Sequence, residues 1–509
     1  MHVMKPNFLR YLGKALLDRS HKKKLSALIQ ASGKQIQDEI PEANLYRKIG
    51  FEGKTSRLGW VIPPDWQDVE RTLSGFLSLS VVRDSNHFIF SSMGGSINTI
   101  KALIHILSDQ STIKLNTIDN LDPDALREIL SSVNDLSKTL VIGISKSGTT
   151  KETCLLLKAL KEWFQAQNLD YRDHFLWLTD VPQGKQNIER AGWKDTCVIP
   201  IQVDKGIDVG GRFAAPHTLI FLIPLLLLLN KKLNKIKTLW NAYLCLREEF
   251  ILEASRKAYQ SACKGTHHFA IVLEENLIPA LETWVIQLFQ EALGSKIVGF
   301  NPKTVVADSE TRPEGFEALR FEIPSSSIII KTMLQMHLLQ LFVAIFAYYK
   351  GINFVKQPEV ETYKRKMKEV HPQKTPKAEV VTTSKLIERI RETIKDRPQL
   401  RFLETVCYWH IEEGQRRNIK HILKDAFPDI ESFVFIGTNW NHHSYQAASW
   451  NDDTLYIILI KQDYEKQIEG ISTQTLNENL TTLKTIAYAT YETLKSKAVF
   501  LIWSNQLAK

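Results

Sequence analysis

Residues 141–153 read Val141-Ile142-Gly143-Ile144-Ser145-Lys146-Ser147-Gly148-Thr149-Thr150-Lys151-Glu152-Thr153. The apolar start predicts a buried strand, and the leucines that follow this stretch, Leu155 to Leu157 and Leu160, predict a helix. A turn at the end of a parallel strand gathers backbone N–H groups, hydroxyls and a helix N-terminus, which together suit a phosphate. An ordinary cluster of capping hydroxyls would have the same sequence, because Ser and Thr favour the N-cap position.

The composition is that of a globular protein with more than one domain. The chain has 509 residues, of which 44% are hydrophobic and 24% charged, and this length exceeds what one core supports. Its five cysteines are scattered without a C-x-x-C pair, which excludes a disulfide framework and a zinc ribbon. The N-terminal residues contain no apolar signal core, so we expect a cytoplasmic protein.

The charge and two apolar stretches bear on possible partners. The net charge of +9 is compatible with an anionic substrate, but the basic runs lack interleaved aromatic residues, so we expect no nucleic-acid partner. The stretch 219–229 is too short to span a bilayer, and the stretch 328–349 carries Lys331, Gln335, His337 and Gln340. We therefore predict two buried core helices and no membrane partner.

Short apolar runs alternate with helical patterns along most of the chain. The predicted strands include 86–90, 141–144, 174–179, 268–273, 296–300, 319–323, 432–436, 455–460 and 498–502. Strands that alternate with helices are typical of parallel, doubly wound sheets covered on both faces. The pattern starts again at residue 268, so we predict an α/β protein with two such units and helical additions.

Five further stretches carry candidate chemistry. The glycine turn from Met93 to Ser96 also joins a predicted strand to a helix, but neither turn matches a dinucleotide fingerprint or a Walker loop. The other four are Val209 to Phe213 with Arg212, Gln287 to Gly294 with Glu291, Gln357 to Lys364, and Gly437 to Gln446 with His442 and His443. Each of these four, taken alone, is more often a turn or a solvated charge than a site.

Taken in order, the six stretches resemble the signature positions of the glucose-6-phosphate isomerase family, whose members have two sugar-isomerase (SIS) domains. The family pattern has a G-G-S turn, then S-K-[ST]-x-T-T-x-E-T, V-G-G-R-[FY]-S, Q-x-x-x-E-S-x-G-K and Q-P-x-V-E-x-x-K. Here the histidine motif follows the lysine segment, an order more similar to the isomerase half of bacterial fused transaldolase–isomerase proteins. The likeness covers residues 80 to 505 and includes no transaldolase domain.

The chain departs from the family pattern beside several motifs. Ala214 and Ala292 stand where the family has Ser, and Ser295 interrupts the G-K pair. Trp440 and Asn441 replace a Gly-Gln pair before the histidine. These changes leave the proposed proton-transfer groups in place. The geometry of the loop around His442 is the feature that they are expected to alter.

The resemblance implies an aldose–ketose isomerase for a hexose 6-phosphate that needs neither a metal nor an organic cofactor. In that reaction Glu291 would move a proton between C2 and C1, and Arg212 would stabilise the enediolate. His442 would open the sugar ring with help from Lys364, and His443 stays an alternative to His442. The implied substrate-binding residues are Gly95, Ser96, Ser145, Lys146, Ser147, Thr149, Thr150 and Gln287.

The resemblance also implies a homodimer and two doubly wound parallel-sheet SIS domains of three-layer αβα type, with helical N-terminal and C-terminal additions. We predict an N-terminal helical segment (1–75) and a first SIS domain with the phosphate site (76–238). The predicted second domain starts with 239–365, is interrupted by a charged connection (366–396), and is completed by 397–509, which carries the histidine motif.

Two alternatives to a glucose-6-phosphate isomerase stay open. A non-catalytic or degenerate phosphosugar-binding SIS protein would keep the hydroxyl turn without turnover. A bifunctional phosphoglucose/phosphomannose isomerase would also accept mannose 6-phosphate, which the small Ala292 beside Glu291 favours. We do not expect an amidotransferase that uses fructose 6-phosphate, because that enzyme needs an N-terminal nucleophilic Cys and the first Cys here is Cys154.

Overall fold

The computed structural model describes residues 20–32, 41–204, 209–308, 312–370, 378–448 and 450–504. Parts of two predicted segments lie outside these ranges: residues 1–19 and 33–40 of the N-terminal segment, and residues 371–377 of the charged connection. Residues 505–509 also lie outside them.

The described N-terminal segment contains helices, one hairpin and an irregular stretch at residues 57–65. Residues 20–32 form helix α1, and α2 spans Pro41–Gly50. The next elements are the antiparallel strands β1 (Phe51–Glu52) and β2 (Thr55–Ser56) and the helices α3 (Trp66–Ser78) and α4 (Ser80–Arg83). The prediction of helices alone missed the hairpin, because strands of two residues are too short to show an alternating pattern.

The first sheet has five parallel strands in the order β4-β3-β5-β6-β7. They are β3 (His87–Ser91), β4 (Lys114–Ile118), β5 (Thr139–Ile144), β6 (Phe175–Thr179) and β7 (Cys197–Pro200). Every residue of β3, β5 and β6 is buried, as expected for strands covered on both faces. The strand order reverses between β3 and β5, so the loops after these strands open into one crevice.

Helices follow the strands of this sheet and continue beyond it. They are α5 (Gly95–Leu107), α6 (Pro123–Ser131), α7 (Lys151–Ala166), α8 (Gln183–Arg190), α9 (Leu219–Leu228) and α10 (Leu233–Cys263). All ten residues of α9 are buried, which confirms the predicted core helix.

Residues 269–350 form a smaller sheet with two helices. The parallel strands β8 (Phe269–Val272), β9 (Thr304–Ala307) and β10 (Glu317–Leu319) pair in the order β10-β8-β9, with helices α11 (Ile278–Leu293) and α12 (Ile328–Lys350). The predicted strand at 296–300 is wrong. Ser295 and Phe300 exchange backbone hydrogen bonds of 2.8 and 2.9 Å across a turn, and the strand starts only at Thr304.

Helix α12 is long and apolar enough to cross a membrane. However, 89% of its most apolar stretch is buried inside the protein. Its polar residues Gln335, His337 and Gln340 are buried with it. The prediction of a core helix is therefore confirmed.

The third sheet has five parallel strands in the order β11-β15-β14-β12-β13. They are β11 (Glu379–Val381), β12 (Phe402–Tyr408), β13 (Glu431–Ile436), β14 (Thr454–Lys461) and β15 (Ala498–Trp503). The helices of this part are α13 (Val360–Glu369), α14 (Thr383–Ile394), α15 (Glu413–Ala426), α16 (Gly437–His443), α17 (Tyr445–Ala448) and α18 (Thr473–Leu494). Four strands of this sheet, β12 to β15, lie in the order β13-β12-β14-β15. The first four strands of the first sheet lie in the same second-first-third-fourth order, β4-β3-β5-β6.

The predicted α/β class with parallel sheets is confirmed. The separate three-stranded sheet was not anticipated, because buried parallel strands look alike in sequence and only long-range pairing decides which sheet each one joins. The domain boundaries stay a prediction.

A buried polar network ties the N-terminal segment to the core helices. His217 Nδ1 donates to the Trp60 carbonyl at 2.7 Å, and its Nε2 lies 2.7 Å from the Tyr243 hydroxyl. The same hydroxyl lies 2.5 Å from His337 Nδ1 on α12. Burial lowers the pKa of His217 to about 3, with the Trp60 hydrogen bond opposing the shift and the charge of Arg247 adding to it.

We predict that the protein loses stability as the pH falls below 6.5. Between pH 6.5 and 3 the unfolded chain protonates His217 while the folded chain does not, so the free energy of unfolding falls by about 1.4 kcal/mol per pH unit for this residue. Urea unfolding of His217→Gln at pH 7, 6 and 5 should show a flatter dependence than the wild type. His421→Gln, which changes an exposed histidine on α15, is the control and should keep the wild-type slope. An unchanged slope in His217→Gln would contradict the assignment.

Candidate active site

The hydroxyl turn after β5 forms the floor of a cavity. Ser145 Oγ lies 2.9 Å from Thr150 Oγ1, and Ser147 Oγ lies 2.7 Å from Thr149 Oγ1. Gly148 adopts φ +68°, and a side chain at this position would lie 2.5 Å from the Gly184 carbonyl, so the turn requires glycine. Thr150 is the N-cap residue of α7 but makes no capping hydrogen bond with its side chain. The hydroxyls of Ser147 and Ser145 accept from the Thr149 and Thr150 amides at 3.3 and 3.4 Å, so phosphate binding at this turn stays a prediction.

The cavity has a volume of about 1000 Å³ and brings together ten of the twelve predicted site residues. These ten are Gly95, Lys146, Ser147, Thr149, Thr150, Arg212, Gln287, Glu291, Lys364 and His442. Ser145 is buried beneath the turn, and Ser96 lies behind the wall beside Gly211. Neither of these two serines lines the cavity.

Arg212 and Glu291 form a buried ion pair at the centre of the cavity. Arg212 Nη1 donates to Glu291 Oε1 at 3.0 Å, and Nη2 donates to the Phe354 carbonyl at 2.6 Å. Burial lowers the pKa of the Arg212 guanidinium from its usual value, and the charge of Glu291 opposes this shift. A side chain at Gly95 would lie 2.5 Å from the Arg212 backbone nitrogen, so the first glycine turn must approach the Arg212 turn this closely.

The second oxygen of Glu291 has its own partner. Gln287, one helical turn earlier on α11, donates its Nε2 to Glu291 Oε2 at 2.9 Å. Asn98 on α5 in turn donates to Gln287 Oε1 at 2.8 Å. Both carboxylate oxygens are therefore oriented before any ligand enters, as a general base requires.

His442 and Glu152 form a second pair at the same cavity. His442 Nε2 on α16 lies 3.2 Å from Glu152 Oε1, which belongs to the first turn of α7. Burial raises the pKa of the Glu152 carboxyl, but the hydrogen bond and charge of His442, together with the charge of Lys364, hold it below its usual value. A carboxylate that orients an imidazole in this way equips His442 for proton transfer.

His443 does not reach the cavity. Its side chain is buried, packs edge-on against Phe435 and bonds to the Ser444 hydroxyl. Burial lowers the pKa of His443 to about 3, and the charge of His442 adds to this. Of the two histidines, only His442 is placed to meet a ligand there.

Lys364 lies at the rim. Its side chain is 44% exposed, and its ammonium pairs with Glu361 at 2.7 Å, one turn earlier on α13. It lines the cavity as a partly exposed cation and not as a buried one.

The residues that depart from the family pattern anchor the helix that carries His442. Trp440 Nε1 donates to Glu404 Oε2 on β12 at 2.8 Å, and Glu404 also pairs with the buried Lys303. Asn441 Oδ1 accepts from the Tyr408 hydroxyl at 2.6 Å. The short helix α16 is therefore held by buried hydrogen bonds from the two residues that replace the Gly-Gln pair.

The structure also brings in residues that sequence reasoning missed. Glu152 stood inside the quoted stretch, but its role depends on a histidine 290 residues away. Glu52 and Arg57 line the cavity from the N-terminal hairpin, where no motif marks them. Across the described ranges, no group of three or more His, Cys, Asp or Glu side chains is placed to hold a metal ion.

Part of the chain is similar in sequence to glucose-6-phosphate isomerases. The sequence model of the phosphoglucose isomerase family, described as "Phosphoglucose isomerase", matches residues 70–228. The glucose-6-phosphate isomerase of Thermus thermophilus is 29% identical over 272 residues, which cover 50% of this chain and 60% of that protein. That of Campylobacter jejuni is 27% identical over 270 residues, covering 51% and 63%. The matches thus span about three-fifths of these relatives.

A solved structure has a similar fold. A hypothetical protein from Thermus thermophilus aligns with a TM-score of 0.52 over 69% of this chain and 96% of its own. At 21% identity this likeness concerns the fold alone.

We predict that Trp440→Phe destabilises the protein by about 1–3 kcal/mol, because Glu404 loses a buried hydrogen-bond donor. Urea unfolding at pH 7 measures the change. Trp240→Phe is the matched control, since Trp240 is also buried but its indole nitrogen has no hydrogen-bond partner among the described residues. Equal losses in the two variants would show that Glu404 gains nothing from the indole.

Proposed function

We propose that this chain, whose residues 70–228 match the sequence model of the phosphoglucose isomerase family, interconverts glucose 6-phosphate and fructose 6-phosphate. The observation that carries the proposal is the convergence of two acid–base pairs on one cavity with a hydroxyl turn. Arg212–Glu291 and His442–Glu152 both line the space above Ser147 and Thr149. A sugar phosphate needs an anion site at one end and proton transfer at the other.

The phosphate would bind at the turn that starts α7. The hydroxyls of Ser147, Thr149 and Thr150 line the cavity there, and the N–H groups of the first helical turn favour an anion. Lys146 adds a positive charge from the same turn. The reacting carbons then extend toward Arg212 and Glu291.

The first chemical step would be ring opening. His442 protonates the ring oxygen, the bond between C1 and the ring oxygen breaks, and the C1 hydroxyl gives its proton to solvent water, which releases the open-chain aldose. Glu152 holds the imidazole by the 3.2 Å contact and stabilises its protonated form. Lys364 at the rim lies within reach of the sugar hydroxyls.

The second step would be the isomerisation itself. Glu291 takes the proton from C2, the electron pair forms the C1–C2 double bond, and the carbonyl oxygen on C1 becomes an oxyanion. Arg212, adjacent to the base, stabilises that charge with a fixed guanidinium. After a proton moves from O2 to O1, Glu291 returns its proton to C1 and the ketose forms. A single base that serves both carbons requires a cis-enediolate.

The non-catalytic phosphosugar-binding protein and the bifunctional phosphoglucose/phosphomannose isomerase stay alternatives that experiment decides. Ala292 is buried within α11 and is not part of the cavity wall, so this substitution gives no structural reason to favour mannose 6-phosphate. The homodimer, the cytoplasmic location and the likeness to fused transaldolase–isomerase proteins stay predictions.

We predict that Glu291→Gln lowers turnover of fructose 6-phosphate by about 10²–10⁴-fold, because the amide cannot accept the C2 proton. The affinity for fructose 6-phosphate should stay within a few-fold of the wild type. A coupled assay measures turnover, and calorimetry measures binding. Glu282→Gln, on the same helix but paired with Arg416, is the matched control and should remain active.

The same assay with mannose 6-phosphate tests epimer specificity. Full activity of Glu291→Gln would contradict the assignment of Glu291 as the base that takes the C2 proton. Binding of both sugar phosphates without conversion of either by the wild-type protein would select the non-catalytic alternative.

A further inference from the structure

The hairpin β1–β2 brings a charged pair to the cavity from outside the region that the family model matches. Glu52 ends β1, and Arg57 follows β2 directly. Both side chains line the same cavity as Lys146, Ser147 and Thr149. The mechanism above uses neither of them.

The backbone around Arg57 is firmly held. The Arg57 amide donates to the Gly50 carbonyl at 3.0 Å, which closes the hairpin. Three residues later, Trp60 stacks on Phe213 with ring centroids 4.7 Å apart, and Phe213 is the neighbour of Arg212. On the other side, the Phe354 amide donates to the Ile49 carbonyl at 3.1 Å. The hairpin is therefore fixed to the two segments that hold Arg212.

The Arg57 side chain is built into the wall. It is only 14% exposed, whereas its partner Glu52 is 57% exposed. Arg57 Nε and Nη2 both donate to the same Glu52 oxygen, at 3.1 and 2.8 Å. The guanidinium is thus largely removed from water, while the Glu52 carboxylate that it contacts stays largely in water. A cation in this arrangement attracts a further anion from the cavity side.

Lys146 shows that the positive charges lie close together. Burial lowers the pKa of Lys146 to about 8, and the charge of Arg57 is the largest electrostatic contribution to that shift. Arg212 acts in the same direction, while Asp180 and Glu52 oppose it. Like charges held together in a cavity are costly, and an anion bound between them relieves that cost.

We propose that Arg57 is a phosphate-binding residue, which together with Lys146 holds the phosphate of the sugar phosphate against the hydroxyls of Ser147 and Thr149. The N-terminal hairpin is then part of the substrate site. This inference rests on the proposed function for the identity of the ligand, but the anion site itself does not depend on catalysis.

The test measures the binding of sulfate, a dianion throughout pH 6–9, and of fructose 6-phosphate by calorimetry. Arg57→Gln should weaken both by about 10- to 100-fold, the range for a hydrogen bond between charged groups. Arg57→Lys keeps the charge but loses the planar fork, so it should give intermediate affinity. Arg71→Gln, on the exposed face of α3, is the matched control and should bind as the wild type does.

A pH series separates a binding role from a structural one. Sulfate affinity of the wild type should fall as the pH rises through about 8, because Lys146 loses its proton. In Arg57→Gln that midpoint should move to higher pH, since removing the nearby positive charge raises the pKa of Lys146. If the enzyme isomerises, Arg57→Gln should raise KM with little change in kcat, because the role proposed for Arg57 is to bind the phosphate and not the reacting carbons.

The outcomes are distinguishable from those of the proposed function. Unchanged sulfate affinity and an unchanged midpoint in folded Arg57→Gln would overturn the inference, whatever the activity. If that variant fails to fold, wild-type affinity in Arg57→Lys would do the same. A third outcome is that Arg57→Gln loses sulfate binding while the wild-type protein converts neither hexose phosphate. This outcome would support the anion site and contradict the proposed isomerase activity.

Discussion

The 3.0 Å contact between Arg212 and Glu291 joins a turn that follows the first sheet to the last turn of α11, which packs on the second. Both groups are buried, and a buried charge without its partner costs several kcal/mol, so each requires the other in place. The contact depends on close packing around it. Gly95 lets the first glycine turn reach the Arg212 backbone, and Gln287 occupies the second carboxylate oxygen. The walls of the cavity are therefore set by the same interactions that orient its proposed base.

The second pair, His442 with Glu152, extends this arrangement to the third sheet. Glu152 lies in the first turn of α7, directly after the hydroxyl turn, so one helix start supplies both the proposed anion site and the carboxylate that contacts the histidine. On the other side, α16 is anchored to β12 through Trp440 and Glu404. The proposed anion site and the proposed proton-transfer groups therefore share one cavity, and the N-terminal hairpin contributes Arg57 to its lining.

Much of the fold and of the site could be predicted from sequence. Buried parallel strands, the core helices and the two glycine or hydroxyl turns are local patterns, and ten of the twelve predicted site residues line one cavity. The errors have physical causes. The apolar run at 296–300 is closed into a turn by two backbone hydrogen bonds, and the two-residue strands of the hairpin are too short to show a period. Ser145 has the right chemistry but is used beneath the turn, bonded to Thr150.

By itself, the sequence determined the α/β class and the strand-to-helix turns, because periodicity is a property of neighbouring residues. The candidate acid–base groups followed from the resemblance of the ordered motifs to the glucose-6-phosphate isomerase family. Only the tertiary structure decided that His442 and not His443 meets the cavity, since one side chain points to Glu152 and the other into the core. It alone placed Arg57 beside Lys146 and divided the second half of the chain between two sheets. These outcomes depend on contacts between residues far apart in the chain, and no local pattern encodes such a pairing.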